Sequence, residues 1–251
     1  TGLTAISPSM FEGCILLQSV KIPDTVETMG EFAFANCTNL ALVSLSSNLT
    51  EVAEGAFYGT MLESIVLPEK VTKIGVSAFE GTSLESIYLA NVTDIGARAF
   101  YGTSLTDVIS DSILTVGDYA FAANTEAEQN TSALKQVILS SVTSIGAYAF
   151  ANNPKLTRAD IASATQIGEG AFDGDAALSV LEVSSAKSIG NYAFRGTAAL
   201  TEVSLPALET IGSLVFDGSS ITEIDLPATV TSVAEQAFAG AKGLTSITMD
   251  E

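Results

Sequence analysis

Five carboxylates, Asp160, Glu182, Glu202, Glu223 and Asp225, recur through the second half of this sequence, with steps of 22, 20 and 21 residues between the first four. If each step is one turn of a stacked chain, neighbouring acids lie on adjacent strands about 4.8 Å apart. Two carboxylates at roughly 5 Å have the spacing of a retaining glycosidase pair, and several together form an oxygen cage for Ca2+. Neither reading has a second sign in the sequence. No residues around these acids mark a site closed to water, and no DxDxDG loop is present. A solvated acidic face is the simpler expectation for 251 residues in which 10 Lys and Arg oppose 29 Asp and Glu, a net charge of −19. No catalytic residue, metal or cofactor is assigned.

The residue types that are missing exclude more. Without a single His there is no Ser-His-Asp or Cys-His relay, no His base and no His-ligated zinc. Without Trp there is no indole platform for sugars. Ten basic residues at a pI near 4.1 make nucleic acid and anionic membranes poor partners, because phosphate binding draws its affinity from clustered Lys and Arg. Apolar residues make up 47% of the chain and mean hydropathy is +0.39, which suffices for a core. No run of about 18 apolar residues is available for direct membrane insertion, and no leader peptide is recognisable. Cys14 and Cys37 are too few for a disulfide scaffold and form no CxxC motif, so the redox compartment stays open.

The elements that position these residues come from a repeat. Phe stands at 11, 34, 57, 79, 100, 121, 150, 172, 194, 216 and 238, preceded by Ala except at Met10 and Val215. Around it returns Leu-x-x-Ile-x-Leu, then Val-Thr-x-Ile-Gly-x-x-Ala-Phe-x-Gly, as in Leu62, Ile65, Leu67, Val71, Ile74, Gly75, Ala78, Phe79 and Gly81. Units this short cannot bury their own apolar residues and must stack on one another as a solenoid. Leu-x-x-Ile-x-Leu has the alternation of a strand, and stacking predicts one parallel sheet. Pro23, Pro68, Pro206 and Pro227 end their strands. The Gly after Ile, as at 75 and 96, is expected to supply a bend of positive φ, and the Gly two residues past Phe a second one, with Asn36 and Asn152 in its place. Between these turns the Ala-Phe stretch is expected to be a short helical or 3-10 segment on the convex side.

The unit resembles the BspA-like leucine-rich repeat, also called the Treponema pallidum type, over residues 3–249. The resemblance implies an α/β, β-dominated solenoid: a right-handed leucine-rich-repeat superhelix of about eleven repeats of 21–23 residues, with a parallel concave sheet and short convex helical or 3-10 segments. It also implies bacterial or protist surface proteins that adhere to host proteins or cells, and it brings no catalytic residues. Residues 1–251 read as a single domain. Departures are Ser110 in place of a strand Leu, Ala53 and Ala234 in place of the Gly after Ile, and the 29-residue step from Phe121 to Phe150. That step predicts an insertion near 122–133, bulging from the rim as a tolerated surface loop. The chain opens within a repeat and stops on a strand, with no recognisable polar cap at either end, and so reads either as a piece of a longer protein or as a chain with irregular caps.

Side chains at the two variable strand positions should project onto the open sheet face in rows. The first half of this face carries an apolar stripe of Leu42, Val66, Tyr88, Ile109 and Ile138, and the second half the five carboxylates. The stripe fits two readings: a surface that a partner covers, or strand-forming residues that stack well on a ladder whether or not anything binds. Cys14 and Cys37 occupy one position in adjacent coils, about 5 Å apart and within disulfide reach; reduced, packed thiols are the simpler reading. Tyr58, Tyr101, Tyr119, Tyr148 and Tyr192 keep the phase of the repeat and are expected at the rim. The expectation is a non-enzymatic, monomeric, extracellular or cell-surface module presenting its concave sheet to a protein or glycan ligand. The alternatives are a carbohydrate-binding or carbohydrate-active protein using the acidic patch, and a spacer for another domain.

Overall fold

The computed structural model describes residues 2–125 and 132–250. Most coils contribute two short strands, and every strand pairing is parallel and joins each residue to its repeat equivalent, as in Asp107, Gln136, Arg158 and Val180. The chain is therefore a parallel β-solenoid of about eleven turns. Part of the expected 122–133 insertion, residues 126–131, lies outside the described residues.

The single sheet expected from Leu-x-x-Ile-x-Leu is not what forms. Those strands fall into a pair, Ser19–Lys21 with Leu42–Ser44, a second pair, Ser64–Ile65 with Ser86–Ile87, a group of four from Asp107–Ser110 to Val180–Glu182, and a last pair, Glu223–Leu226 with Ser246–Met249. The long continuous sheet is instead built from the second inward segment, nine strands from Glu51–Val52 to Ser232–Val233.

The reason lies in the glycines that follow those segments. Gly75, Gly96, Gly168, Gly190 and Gly212 do not have the positive φ expected of them. A Cβ on Gly75 would lie 2.6 Å from the Glu54 nitrogen, and one on Gly96 2.7 Å from the Gly75 carbonyl carbon. These glycines let consecutive coils approach backbone to backbone, and their N–H groups donate to the preceding coil, as Gly75 does to Val52 and Gly96 to Ile74, both at 2.8 Å. The side chains of the Leu-x-x-Ile-x-Leu segments impose no such closeness, and in the coil between Glu182 and Glu223 that segment, residues 201–205, forms no strand at all.

Nor is there a helix at the Ala-Phe stretch; among the described residues neither α nor 3-10 helix occurs. The stretch is a ribbon of successive turns. The residue two before each ladder Phe is left-handed in all eleven coils, whether Ser77, Arg98, Tyr148 or Leu214, and so is the expected Gly or Asn two after it in ten. A left-handed residue every fourth position cannot continue a helix. The N–H groups divide their work accordingly. Those of Ser77, Phe79 and Gly81 donate to Ala97, Ala99 and Tyr101 in the next coil, while Ala78, Glu80 and Thr82 close turns three residues back. The rim is thus as firmly laddered as a sheet.

Inside, the ladder Phe residues stack face to face along the whole solenoid, centroids 5.1–6.1 Å apart and planes within 17°. The 29-residue step leaves this spine intact, with Phe121 and Phe150 at 5.3 Å. Three residues past Phe runs a row of small polar groups. Thr60, Thr82, Thr103, Thr197 and Ser219 each donate a hydroxyl to the carbonyl of their own coil's Phe. Ser110, where the repeat has Leu, is buried and bonds the Leu89 carbonyl at 3.3 Å.

Candidate functional site

The apolar stripe lies in solvent. Val66 is 85% exposed, Tyr88 81%, Leu42 69% and Ile109 54%, while Ile138 is half-buried. Ile109, Ile138, Asp160 and Glu182 are successive partners in one in-register row, so the apolar part of the face runs directly into the acidic part. Their neighbours on each strand, Val108, Val137 and Ala159, point the other way into the core. The alternation that buries one set therefore presents the other.

A feature no residue pattern signals lies beside the stripe. Between Leu42–Ser44 and Ser64–Ile65 the two coils form no strand pair, and a groove of about 620 Å³ opens there. Val43, Leu45, Val66 and Pro68 supply its apolar walls, and Glu69 and Lys70 stand at its edge. Lys70 is held by Asn48 at 2.6 Å, so a fixed cation borders the groove.

The acidic residues are not equivalent. Asp160 is half-buried and paired with Arg158 at 3.1 Å, so its charge is already answered. Asp225 accepts a hydrogen bond from the Thr248 hydroxyl. Glu182, Glu202 and Glu223 are exposed. Asp160 and Glu182 do share a register position on neighbouring strands, as the spacing required. Among the described residues no group of three or more Cys, Asp or Glu is arranged to hold a metal ion.

The tyrosines stand at the turn ribbon, where two of them join clamps between coils. Arg98 grips Glu80 through the Nε and Nη2 groups on one edge of its guanidinium, at 3.0 and 2.6 Å, with its charge over the Tyr101 ring at 3.9 Å. Arg195 grips Asp173 in the same way and lies over Tyr192 at 4.7 Å. The carboxylates hold both guanidinium groups charged beyond their ordinary range, a hydrogen-bonding effect opposed by burial. Tyr119 and Tyr148 stack at 5.1 Å across the insertion. These contacts bridge neighbouring repeats and present no free charge.

Cys14 is exposed, Cys37 is buried, and the two are not bridged. Of the packed pair expected, only Cys37 is packed; Cys14 stands at the surface.

Residues 4–128, 124–208 and 165–251 match the BspA type leucine rich repeat region, in six copies. The chain belongs to the BspA-type leucine-rich repeat family. The fold agrees with solved repeat proteins. A leucine-rich repeat protein from Eubacterium ventriosum is 22% identical, with 98% of this chain matched to 82% of that one at a TM-score of 0.55. A leucine rich cell surface protein from Faecalibacterium prausnitzii is 24% identical at a TM-score of 0.51, and this chain spans 64% of its length while 99% of this chain is matched. The leucine rich repeat protein of T. pallidum is 24% identical at a TM-score of 0.50, over 61% of this chain and 72% of that one. A comparison with curated proteins returns no match. The BspA-type repeat is a protein-binding fold, and its members are generally non-catalytic. No helix among the described residues is long and apolar enough to cross a membrane.

Proposed function

We propose that this BspA-type chain, acting as one solenoid over residues 1–251, is a non-enzymatic, monomeric cell-surface or secreted adhesion module that binds an extracellular protein through its concave Leu-x-x-Ile-x-Leu face. The observation that carries the reading is the row of Leu42, Val66, Tyr88 and Ile109, each more than half exposed, beside the open groove at Val43, Leu45 and Pro68. Ladder packing alone does not require large apolar groups to stand in water, whereas a covering partner recovers about 25 cal/mol for each Å² removed from it. The groove suits an apolar or aromatic anchor from the partner. Glu182, Glu202 and Glu223 favour basic residues on the part that lies over the second half, and steer its approach. The pairing of Asp160 with Arg158 takes one member of the supposed glycosidase pair out of play, which favours adhesion over turnover.

The test is capture from an array of matrix proteins, mucins and glycans by the wild type and by the triple variant Val66→Ser, Tyr88→Ser, Ile109→Ser. Capture of a protein that weakens at least about tenfold in the triple variant, with circular dichroism unchanged, supports the reading. Equal capture by both chains removes the stripe from it. Binding to glycans alone, lost on Asp160→Asn, moves the site to the acidic half. Full adhesion residing in another domain of the polypeptide leaves this chain as a spacer.

A further inference from the structure

We infer that Cys14 and Cys37 are an oxidation site: the pair closes into a disulfide that clamps the coil of Phe11 to the coil of Phe34 when a small-molecule disulfide such as oxidised glutathione is present. Both residues stand three past the ladder Phe of consecutive coils. The coils are tightly joined there. Phe11 and Phe34 stack at 5.1 Å, and the Gly13 N–H, one residue before Cys14, donates to Ala35 at 2.8 Å. In-register positions on hydrogen-bonded coils place α-carbons about 5 Å apart, within the 4.4–6.8 Å that a disulfide spans.

The sulfur of Cys37 already reaches across. Thr60 and Thr82 at the equivalent positions donate to the carbonyl of their own coil, whereas the Cys37 thiol donates to Phe11 of the neighbouring coil at 3.0 Å. Burial pushes the Cys37 thiol up, and the backbone of Cys14 pulls the other way. The two thiols thus differ in kind: Cys14 is open to reagents, while Cys37 is shielded by the core and bonded to the backbone of the coil that carries Cys14.

That difference orders the steps. The Cys14 thiolate attacks one sulfur of oxidised glutathione, forming the Cys14–glutathione mixed disulfide and releasing one glutathione thiolate. Cys37 then gives its proton to solvent and attacks the Cys14 sulfur; the Sγ–Sγ bond forms as the mixed disulfide breaks, and the second glutathione leaves. Two protein thiols lose two electrons and two protons, and one molecule of oxidised glutathione gains them as two molecules of glutathione. The closed bridge joins two coils otherwise held only by hydrogen bonds and packing.

Incubation of the folded, reduced chain with oxidised glutathione, followed by intact mass and peptide mapping without reduction, decides the matter. The expected product is about 2 Da lighter than the reduced chain, with the peptides of Cys14 and Cys37 linked, and reverts with dithiothreitol. Cys37→Ser is expected to stop at a glutathione adduct on Cys14, and Cys14→Ser to stay unmodified while folded. A wild-type adduct that persists without closing, a chain-to-chain dimer, or no reaction at wild-type Cys14 overturns the proposal. Because the wild-type mass is read directly, the result stands even if a serine variant folds poorly.

Discussion

Asp175 is the most conspicuous single residue of the interior. It stands in the row where Thr82, Thr197 and Ser219 donate to the carbonyl of their own Phe, but a carboxylate has no proton to donate. Its Oδ1 accepts the Asn153 N–H at 2.7 Å, and its Oδ2 is buried without a hydrogen-bond partner. Burial drives its pKa well above the ordinary 3.8, and the negative Asp173 nearby adds to the rise. The unfolded chain titrates at the ordinary value. Below pH 3.8 the acid is therefore neutral in both states and its contribution is whole; as pH climbs toward the folded value, the unfolded chain alone gains the charge and stability is lost. Asp175→Asn keeps the acceptor for Asn153 and supplies an N–H, as Asn153 itself does to Phe150. It should stabilise the chain at pH 7 by about 1–3 kcal/mol and by much less at pH 3, read from urea midpoints at the two values. Tyr148 offers a second titration. Its hydroxyl donates to Glu169 at 2.7 Å, and that bond, helped by burial and the negative charge of Glu169, pushes the phenol up to about 12. Glu169→Gln should return its midpoint, followed by NMR of the labelled ring, toward the ordinary 10.0.

Two kinds of glycine do different work within one coil, and a pair of alanine substitutions separates them. Gly96 has an ordinary φ but no room, since its Cβ would press on the Gly75 and Val76 backbone at 2.7 Å. Gly81 has room but a φ of +67°, its Cβ meeting only the Gly59 α-carbon at 4.0 Å. Gly96→Ala must push two coils apart and should cost about 2–3 kcal/mol. Gly81→Ala meets only the left-handed penalty, about 1–2 kcal/mol. Thermal unfolding of the two variants checks the order, and equal losses would mean that the nine-stranded sheet is looser than its geometry indicates. The left-handed turn two residues past Phe was legible, because Gly, or Asn at 36 and 152, marks it. The one two residues before Phe was not, because Ser77, Arg98 and Leu214 share no preference for that conformation and are held in it by hydrogen bonds to the next coil. Gly55 and Gly170 do stand in that row, each beneath an aromatic ring of the preceding coil, Phe32 or Tyr148, whose place a Cβ would take.

The molecule as a whole hangs on its Phe spine. Phe100, fully buried between Phe79 at 5.4 Å and Phe121 at 5.1 Å, has no substitute contact if truncated. Phe100→Ala should cost about 3–5 kcal/mol. Because each coil touches only its neighbours, the damage should be local, with hydrogen exchange accelerating around residues 79–121 before the ends respond. Uniform acceleration along the chain would instead mean that the solenoid opens as one cooperative unit. The repeat, its inward columns and its exposed rows were readable from residue types, because a period of about 22 with Leu, Ile and Phe in fixed places leaves one way to bury them, and Val66 and Tyr88 do stand in water as that pattern required. The groove beside Val66, the split of the strand face, the Arg98 and Arg195 clamps and the stranded Asp175 were not readable. Each depends on how closely two particular coils approach. A repeating sequence determines which way a side chain points; the distance between coils is the resultant of every glycine, proline and ring packed between them, and only the assembled tertiary structure decides it.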